Sequence, residues 1–223
     1  FGPEDFMEYT NDRGFTPLMV ACYHGNLIAV KVILENWTEI TQDAMLKGDS
    51  YGKHLVNAAH SAILGNNLDA LRLITSSKQF TVAHAHASGP DGVSLLGIAI
   101  TAQKISIIQY LLNELKVNPS KPCFNGGGNG FHAVGLWGSA QILDIFLKHD
   151  KMPVALLEKK NTYGETPLMC AAKSNRYDVC MKFLQKGCLA FEATKYFYNS
   201  WLFSAAVTQW KKKKGPNPRT VKY

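Results

Sequence analysis

The 223-residue sequence predicts an all-α solenoid of about five stacked helix-turn-helix units, joined by short hairpins or loops. Three observations predict this fold class. A Gly-x-Thr-Pro-Leu-Met motif recurs, an apolar stripe of helical period follows each copy, and the copies are spaced 35 to 40 residues apart. One such helix pair cannot bury its own apolar face, whereas a stack of pairs can.

The motif is clearest in the first and last copies, at residues 12–22 (DRGFTPLMVAC) and 161–171 (NTYGETPLMCA). Its glycine supplies the positive φ of a tight turn, and its threonine caps a helix that begins with proline, whose missing N–H costs nothing there. Weaker copies lie between them, so that the five repeat glycines are at residues 14, 52, 92, 127 and 164, with spacings of 38, 40, 35 and 37 residues.

This pattern resembles the ankyrin repeat family, whose units of about 33 residues carry a Thr-Pro-Leu-His-x-Ala core. Met19 and Met169 replace the usual histidine, and three copies lack the proline. The resemblance implies one domain over residues 1–210. Its expected repeats are 11–48, 49–88, 89–123, 124–160 and 161–190, with a partial cap at 194–210.

The repeats exceed the family period, so the connectors are enlarged at residues 35–50, 75–90, 113–125 and 149–162. Long loops on a rigid stack suit family-specific contacts, and they suit simple spacers equally well. Both interpretations stay open at the level of sequence.

The composition is that of an ordinary globular protein, with 46% apolar and 18% charged residues and a mean hydropathy of −0.10. It excludes disordered, collagen and membrane classes, and we expect neither a spanning helix nor a signal peptide. The chain begins at Phe1 without an initiator Met, so we expect a piece of a longer protein.

The net charge of +7 lies almost wholly in the last thirteen residues, 211–223, which hold six of the 24 cations and no anion. The remaining 18 cations face 17 anions, which leaves the body at +1. The Lys211–Lys214 run has three interpretations: a solvated disordered end, a nuclear-localisation or nucleic-acid patch, and an electrostatic membrane contact. We expect any affinity for nucleic acid or anionic membrane to be weak and to reside in this tail.

The five cysteines form no C-x-x-C pair and no zinc-site spacing. We predict buried, free thiols in a reducing compartment, hence an intracellular protein, cytoplasmic or nuclear, or one in the host cytoplasm if it is a bacterial effector.

No residue constellation indicates catalysis. The glycine-rich loop at 125–131 lacks the third glycine of a dinucleotide site and the Lys-Ser or Lys-Thr of a P-loop. His84 and His86 are interpreted as part of a solvated loop rather than as a pair of metal ligands. A Cys22–His24 nucleophile is rejected, because Cys22 lies beside the small residues that pack the inner helix, where a thiol is inert. The sequence therefore predicts a non-enzyme with no cofactor and no metal.

The resemblance also implies a binding surface, because the hairpin tips and the exposed side of the inner helices line one groove in ankyrin-like stacks. Aromatic residues recur along it, as at protein interfaces. The candidate partner-binding residues are Arg13, Phe15, Tyr23, His24, Tyr51, Lys53, Leu136, Trp137, Tyr163, Glu165 and Lys173, with Val93 and Thr101 in the third repeat.

The predicted function is a non-catalytic, monomeric scaffold that binds a partner protein through this groove. The alternative is the recognition arm of a larger multidomain enzyme or a secreted bacterial effector, whose catalytic part lies outside this sequence. A catalytic domain in the flanking sequence would decide between the two.

Overall fold

The computed structural model describes residues 9–35, 58–77, 80, 82–86, 93–149, 154–188 and 208. Over these residues the predicted all-α repeat fold is confirmed, and no strand occurs in them. The α-helices are α1 (Pro17–His24), α2 (Leu27–Glu35), α3 (Ala58–Leu64), α4 (Leu68–Thr75), α5 (Val82–His86), α6 (Leu95–Thr101), α7 (Ile105–Asn113), α8 (Gly130–Trp137), α9 (Ala140–Lys148), α10 (Pro167–Lys173) and α11 (Tyr177–Gln185), and a short 3-10 helix spans Val154–Leu157.

The chain divides into two compact units, Phe1–Gly127 and Gly128–Tyr223, called unit 1 and unit 2 below. In unit 1 the inner helix α3 packs between the inner helices α1 and α6, and the outer helix α2 packs on α4. In unit 2 the inner helices α8 and α10 pack together, as do the outer helices α9 and α11. Each unit is thus a stack of helix pairs. Every helix in the described residues is too short or too polar to span a membrane.

The helix starts follow the predicted capping chemistry. Thr16 accepts a hydrogen bond from the backbone N–H of Met19, and Thr166 accepts one from Met169, with proline at the first helical position in both cases. Gly14 and Gly164 have φ of 78° and 75°, the left-handed conformation predicted for the turn before the cap. The same signal that marked the repeats in sequence therefore begins their inner helices.

Backbone hydrogen bonds at the helix–helix turns fix the register between repeats. Asn26 N–H donates to the carbonyl of Ala21 at 2.9 Å, and Asn67 N–H donates to Ala62 at 2.8 Å. Asn67 therefore takes the place of Asn26 at an offset of 67 − 26 = 41 residues, not the 38 that separates the glycines. Additional residues thus fall between Gly52 and α3.

Several predicted features lie outside the described residues. They are the groove residues Tyr51 and Lys53, the tail Lys211–Lys214, and the cap at 194–210 except Thr208. Their places in the fold stay predictions.

The core is apolar and includes the thiols. In unit 2 the ring of Phe131 lies 6.2 Å from that of Phe146 and 6.2 Å from that of Phe183, all three fully buried. All five cysteines are free and buried, as predicted. Burial raises the pKa of each thiol to about 12, so these side chains are packing groups rather than nucleophiles.

The enlarged connector 113–125 is a packed part of unit 1. Val117, Cys123 and Phe124 are buried, and the carbonyl of Cys123 accepts a 2.9 Å hydrogen bond from the N–H of Ser94, the residue that caps α6. At these three residues the connector is therefore packed into unit 1 rather than a free spacer, while other residues of it, such as Lys121 and Asn125, are exposed.

His84 and His86 are not in a solvated loop, which corrects the prediction for them. They lie on α5, where His84 is buried with its ring 5.5 Å from that of Phe80. Nε2 of His86 accepts a hydrogen bond from the N–H of Asn118 at 3.3 Å. The two rings diverge because residues two apart do not share a helix face. The sequence reasoning missed this helix because five residues carry too weak a periodic signal.

Candidate protein-binding face

The hairpin tips of the first and last repeats are held by the same hydrogen bonds. In unit 1, Asn11 Oδ1 accepts from the N–H groups of Arg13 and Phe15, both at 3.0 Å. In unit 2, Asn161 Oδ1 accepts from Tyr163 at 3.0 Å and from Glu165 at 2.9 Å. Such asparagine-closed turns fix the backbone, so Arg13 and Tyr163 project from equivalent, ordered tips.

The inner-helix face of each unit is defined here as its hairpin tip with the exposed side of its inner helices. On this face of unit 1, Arg13, Tyr23 and His24 are exposed and Phe15 is half-buried. The Tyr23 ring is 47% exposed and meets the His24 ring edge-on at 5.2 Å. Val93 is half-buried and Thr101 is exposed.

The C-terminal end of α1 is tied to the second repeat by Asn67. Its Nδ2 donates to the carbonyls of Cys22 and Tyr23, at 3.1 and 2.6 Å. These bonds satisfy the carbonyl of Tyr23, which the end of the helix leaves open, and add to the 3.3 Å bond that the carbonyl of Cys22 accepts from the N–H of Gly25. The backbone that carries the exposed Tyr23 ring is therefore fixed.

In unit 2 the inner-helix face joins an exposed ring to an ion pair. Tyr163 is 69% exposed, and Nζ of Lys173 lies 2.9 Å from Oε1 of Glu165. The other oxygen of Glu165 accepts from Nδ2 of Asn161 at 3.2 Å. Although partial burial opposes it, the bonds from Lys173 and Asn161 hold the pKa of Glu165 below its usual range. Glu165 thus stabilises the hairpin tip on which Tyr163 lies.

Leu136 and Trp137, at the end of α8, are half-buried rather than exposed. Arg176 closes this helix end, with Nε 2.8 Å from the carbonyl of Leu136 and a second guanidinium nitrogen 2.7 Å from that of Gly138. Arg176 occupies the position that Asn67 holds in the second repeat. The inner-helix end is therefore closed by the following repeat in both units, with different side chains.

The sequence reasoning missed two buried histidines that link repeats. Nδ1 of His132 accepts from the N–H of Asn129 at 3.2 Å, and its Nε2 donates to the carbonyl of Glu165 at 3.0 Å. His60 holds the equivalent position in the second repeat, where it is buried close to the backbone of Val93. Both stand where Met19 and Met169 stand in the other repeats. The histidine of the Thr-Pro-Leu-His motif was the signal that could have revealed them, but the second copy of the motif is too weak for His60 to be aligned with it.

Two exposed apolar residues were also missed on the inner-helix face of unit 1. Val20 is 37% exposed and Leu64 is 42% exposed. The 41-residue register makes Leu64 the equivalent of Tyr23, an assignment that the 38-residue glycine spacing conceals.

The described residues contain no group of three or more His, Cys, Asp or Glu placed to hold a metal ion. The glycine-rich loop ends in the cap of α8, where Asn129 Oδ1 accepts from Phe131 at 3.0 Å and from His132 at 3.3 Å. The backbone N–H groups that would bind a phosphate in a nucleotide loop are thus used by the asparagine cap that begins the helix.

Two family models match the sequence: ankyrin repeats in three copies over residues 96–193, and a single ankyrin repeat over residues 13–42. The chain belongs to the ankyrin repeat family. Ankyrin repeats generally mediate protein–protein interaction and are generally non-catalytic. The uncovered stretch, 43–95, includes the second repeat, where the register shifts.

No curated protein matches the sequence. Among solved structures, the ankyrin stack is similar to a chain in the complex of a predatory endopeptidase from Bdellovibrio bacteriovorus with an immunity protein. The TM-score is 0.61 at 22% identity, over 81% of this chain and 85% of the other. At this identity the likeness concerns the fold alone.

Proposed function

We propose that this ankyrin stack is a non-catalytic scaffold that binds a partner protein through the inner-helix faces of its two units. The observation that carries the proposal is the exposure of two tyrosine rings, Tyr23 at 47% and Tyr163 at 69%, on backbones fixed by side-chain hydrogen bonds. Tyrosine buries a large area at low entropic cost, and an ordered backbone lowers that cost further.

The remaining candidate residues differ in exposure, so we propose different contributions to binding for them. Arg13, His24 and Lys173 surround the rings with polar groups, as at the rim of an interface. Phe15, Leu136 and Trp137 are half-buried, so they would contribute contact area and repeat packing together. Glu165 acts through Lys173 and the hairpin tip rather than as an anchor.

A stand-alone scaffold and the recognition arm of a larger enzyme or effector would use this face in the same way. They differ in what flanks the repeats, so the full-length coding sequence separates them. We further propose that the domain acts as a monomer inside a cell, where five free thiols stay reduced, and that weak binding to nucleic acid or anionic membrane would come from Lys211–Lys214.

The test is quantitative affinity capture with the wild-type chain, the variant Tyr23→Ala with Tyr163→Ala, and the control Tyr177→Ala. Tyr177 is 40% exposed but lies on the outer helix α11. We expect the double variant to lose the captured protein by at least about tenfold and the control to retain it. Equal retention by the double variant would contradict the proposal, as would equal loss with Tyr177→Ala.

A further inference from the structure

The glycine-rich loop ahead of α8 contains both Asn-Gly dipeptides of the sequence, Asn125-Gly126 and Asn129-Gly130. Asparagine before glycine is the dipeptide most prone to spontaneous deamidation, because a backbone N–H without a neighbouring Cβ meets little steric hindrance when it attacks the side-chain amide. The two sites share their chemistry and differ in their surroundings, so the structure alone decides their relative reactivity.

Asn129 is protected by its role as a helix cap. It is 1% exposed, and its Oδ1 accepts from the N–H groups of Phe131 and His132, at 3.0 and 3.3 Å. Attack by the nitrogen of Gly130 would require this carboxamide to leave the cap and turn toward that nitrogen. Burial also withholds the water that the reaction consumes.

Asn125 differs from Asn129 in its exposure and its place in the chain. It is exposed, and the next residue, Gly126, has a φ of 95° and is half-buried. The dipeptide lies outside every helix, in the connector between α7 and α8. Rotation of the Asn125 side chain toward the following nitrogen therefore breaks no helix cap and stays within reach of solvent.

We infer that Asn125 is a site of spontaneous, non-enzymatic modification and that Asn129 is not. The backbone nitrogen of Gly126 attacks Cγ of Asn125 and loses its proton. The side-chain nitrogen leaves as ammonia, which gives a succinimide. Water then adds to either ring carbonyl and opens the ring to aspartate or isoaspartate. Each product adds one negative charge to the connector, and isoaspartate also lengthens its backbone by one methylene.

The experiment is peptide mapping by mass spectrometry during incubation of the full chain in mildly alkaline buffer. The deamidation mass shift is followed at both sites, in the folded chain and in denaturant. In the folded chain we expect Asn125 to convert at least about tenfold faster than Asn129, because Asn129 reacts only after local opening. In denaturant the two rates should converge.

Two variants assign the signal. Asn125→Gln should abolish deamidation of the folded chain at this loop, whereas Asn129→Ser, which keeps a helix-capping side chain, should leave conversion at Asn125 unchanged. Equal rates in the folded chain, faster conversion of Asn129, or conversion of neither site while the denatured chain reacts would each overturn the inference.

Discussion

Nε2 of His132 lies 3.0 Å from the backbone carbonyl oxygen of Glu165, so a buried ring in the fourth repeat binds the backbone of the fifth. His60, at the equivalent position of the second repeat, is buried close to the backbone of Val93 in the third. The stability of such a stack depends on interfaces between adjacent repeats. These histidines are therefore structural links, placed behind the face that we propose to bind a partner.

The first prediction concerns this link. His132→Ala would leave the N–H of Asn129 without its partner, would remove one of the two hydrogen bonds that the carbonyl of Glu165 accepts, and would open a cavity. We expect a loss of about 2 to 4 kcal/mol in the free energy of unfolding. Urea denaturation followed by circular dichroism measures it. The exposed His24→Ala is the control, with an expected change within about 0.5 kcal/mol; similar losses in both variants would contradict the assignment.

The second prediction is a loss of stability in mild acid. Burial lowers the pKa of His132 and that of His60 from 6.5 to about 4. The unfolded chain therefore takes up protons on these rings at a higher pH than the folded chain. Stability present above about pH 6.5 is lost as the pH falls toward about 4, by up to roughly 3 kcal/mol per histidine.

Urea denaturation at several pH values across this window checks the second prediction. His132→Met, which restores the residue found at Met19 and Met169, should remove one histidine's share of the acid loss. An unchanged pH dependence in this variant would show that other groups carry it.

Much of this fold was predictable because each strong signal had a local physical cause. Thr16 with Pro17, and Thr166 with Pro167, mark the start of a helix through local capping and proline geometry. The copies beyond them were found through a shared period. The ankyrin fold and the free, buried cysteines follow from these local and compositional patterns.

The parts that failed depend on tertiary packing. Helix α5 is stabilised by the burial of His84 and Ala85. A five-residue sequence pattern does not reveal that burial. The register of the second repeat is set by the turn at Asn67 rather than by Gly52, so Leu64 was missed on the inner-helix face. The half-burial of Trp137 likewise depends on how neighbouring repeats pack.

The third prediction uses a close approach between inner helices in unit 2. A Cβ at Gly135 of α8 would lie 2.5 Å from the carbonyl oxygen of Pro167 in α10. Gly→Ala inside a helix normally stabilises by roughly 0.5 to 1 kcal/mol. Here we expect Gly135→Ala to lower the free energy of unfolding by about 1 to 3 kcal/mol, because the backbone of α10 can move away from the added methyl group only at a cost in packing. A higher midpoint of thermal unfolding would refute the approach distance.

The fourth prediction separates folding from binding. Leu168 is 1% exposed, so Leu168→Ala should cost about 2 to 5 kcal/mol of stability through a core cavity. Tyr163→Ala, at the exposed hairpin tip, should change stability by less than about 0.5 kcal/mol. Trp137→Ala is a poorer probe, because a half-buried ring mixes the two effects. Thermal unfolding of both variants provides the comparison, and a destabilised Tyr163→Ala would assign that ring to repeat packing.

Site-specific photocrosslinking in cells shows directly whether the inner-helix face of unit 2 meets the partner. The photoreactive residue p-benzoylphenylalanine would replace Tyr163 in one experiment and Tyr177 on the outer helix in another. We expect a discrete crosslinked protein from position 163 that position 177 does not give. The same adduct from position 177 with none from position 163 would contradict this expectation and would place recognition on the outer helices.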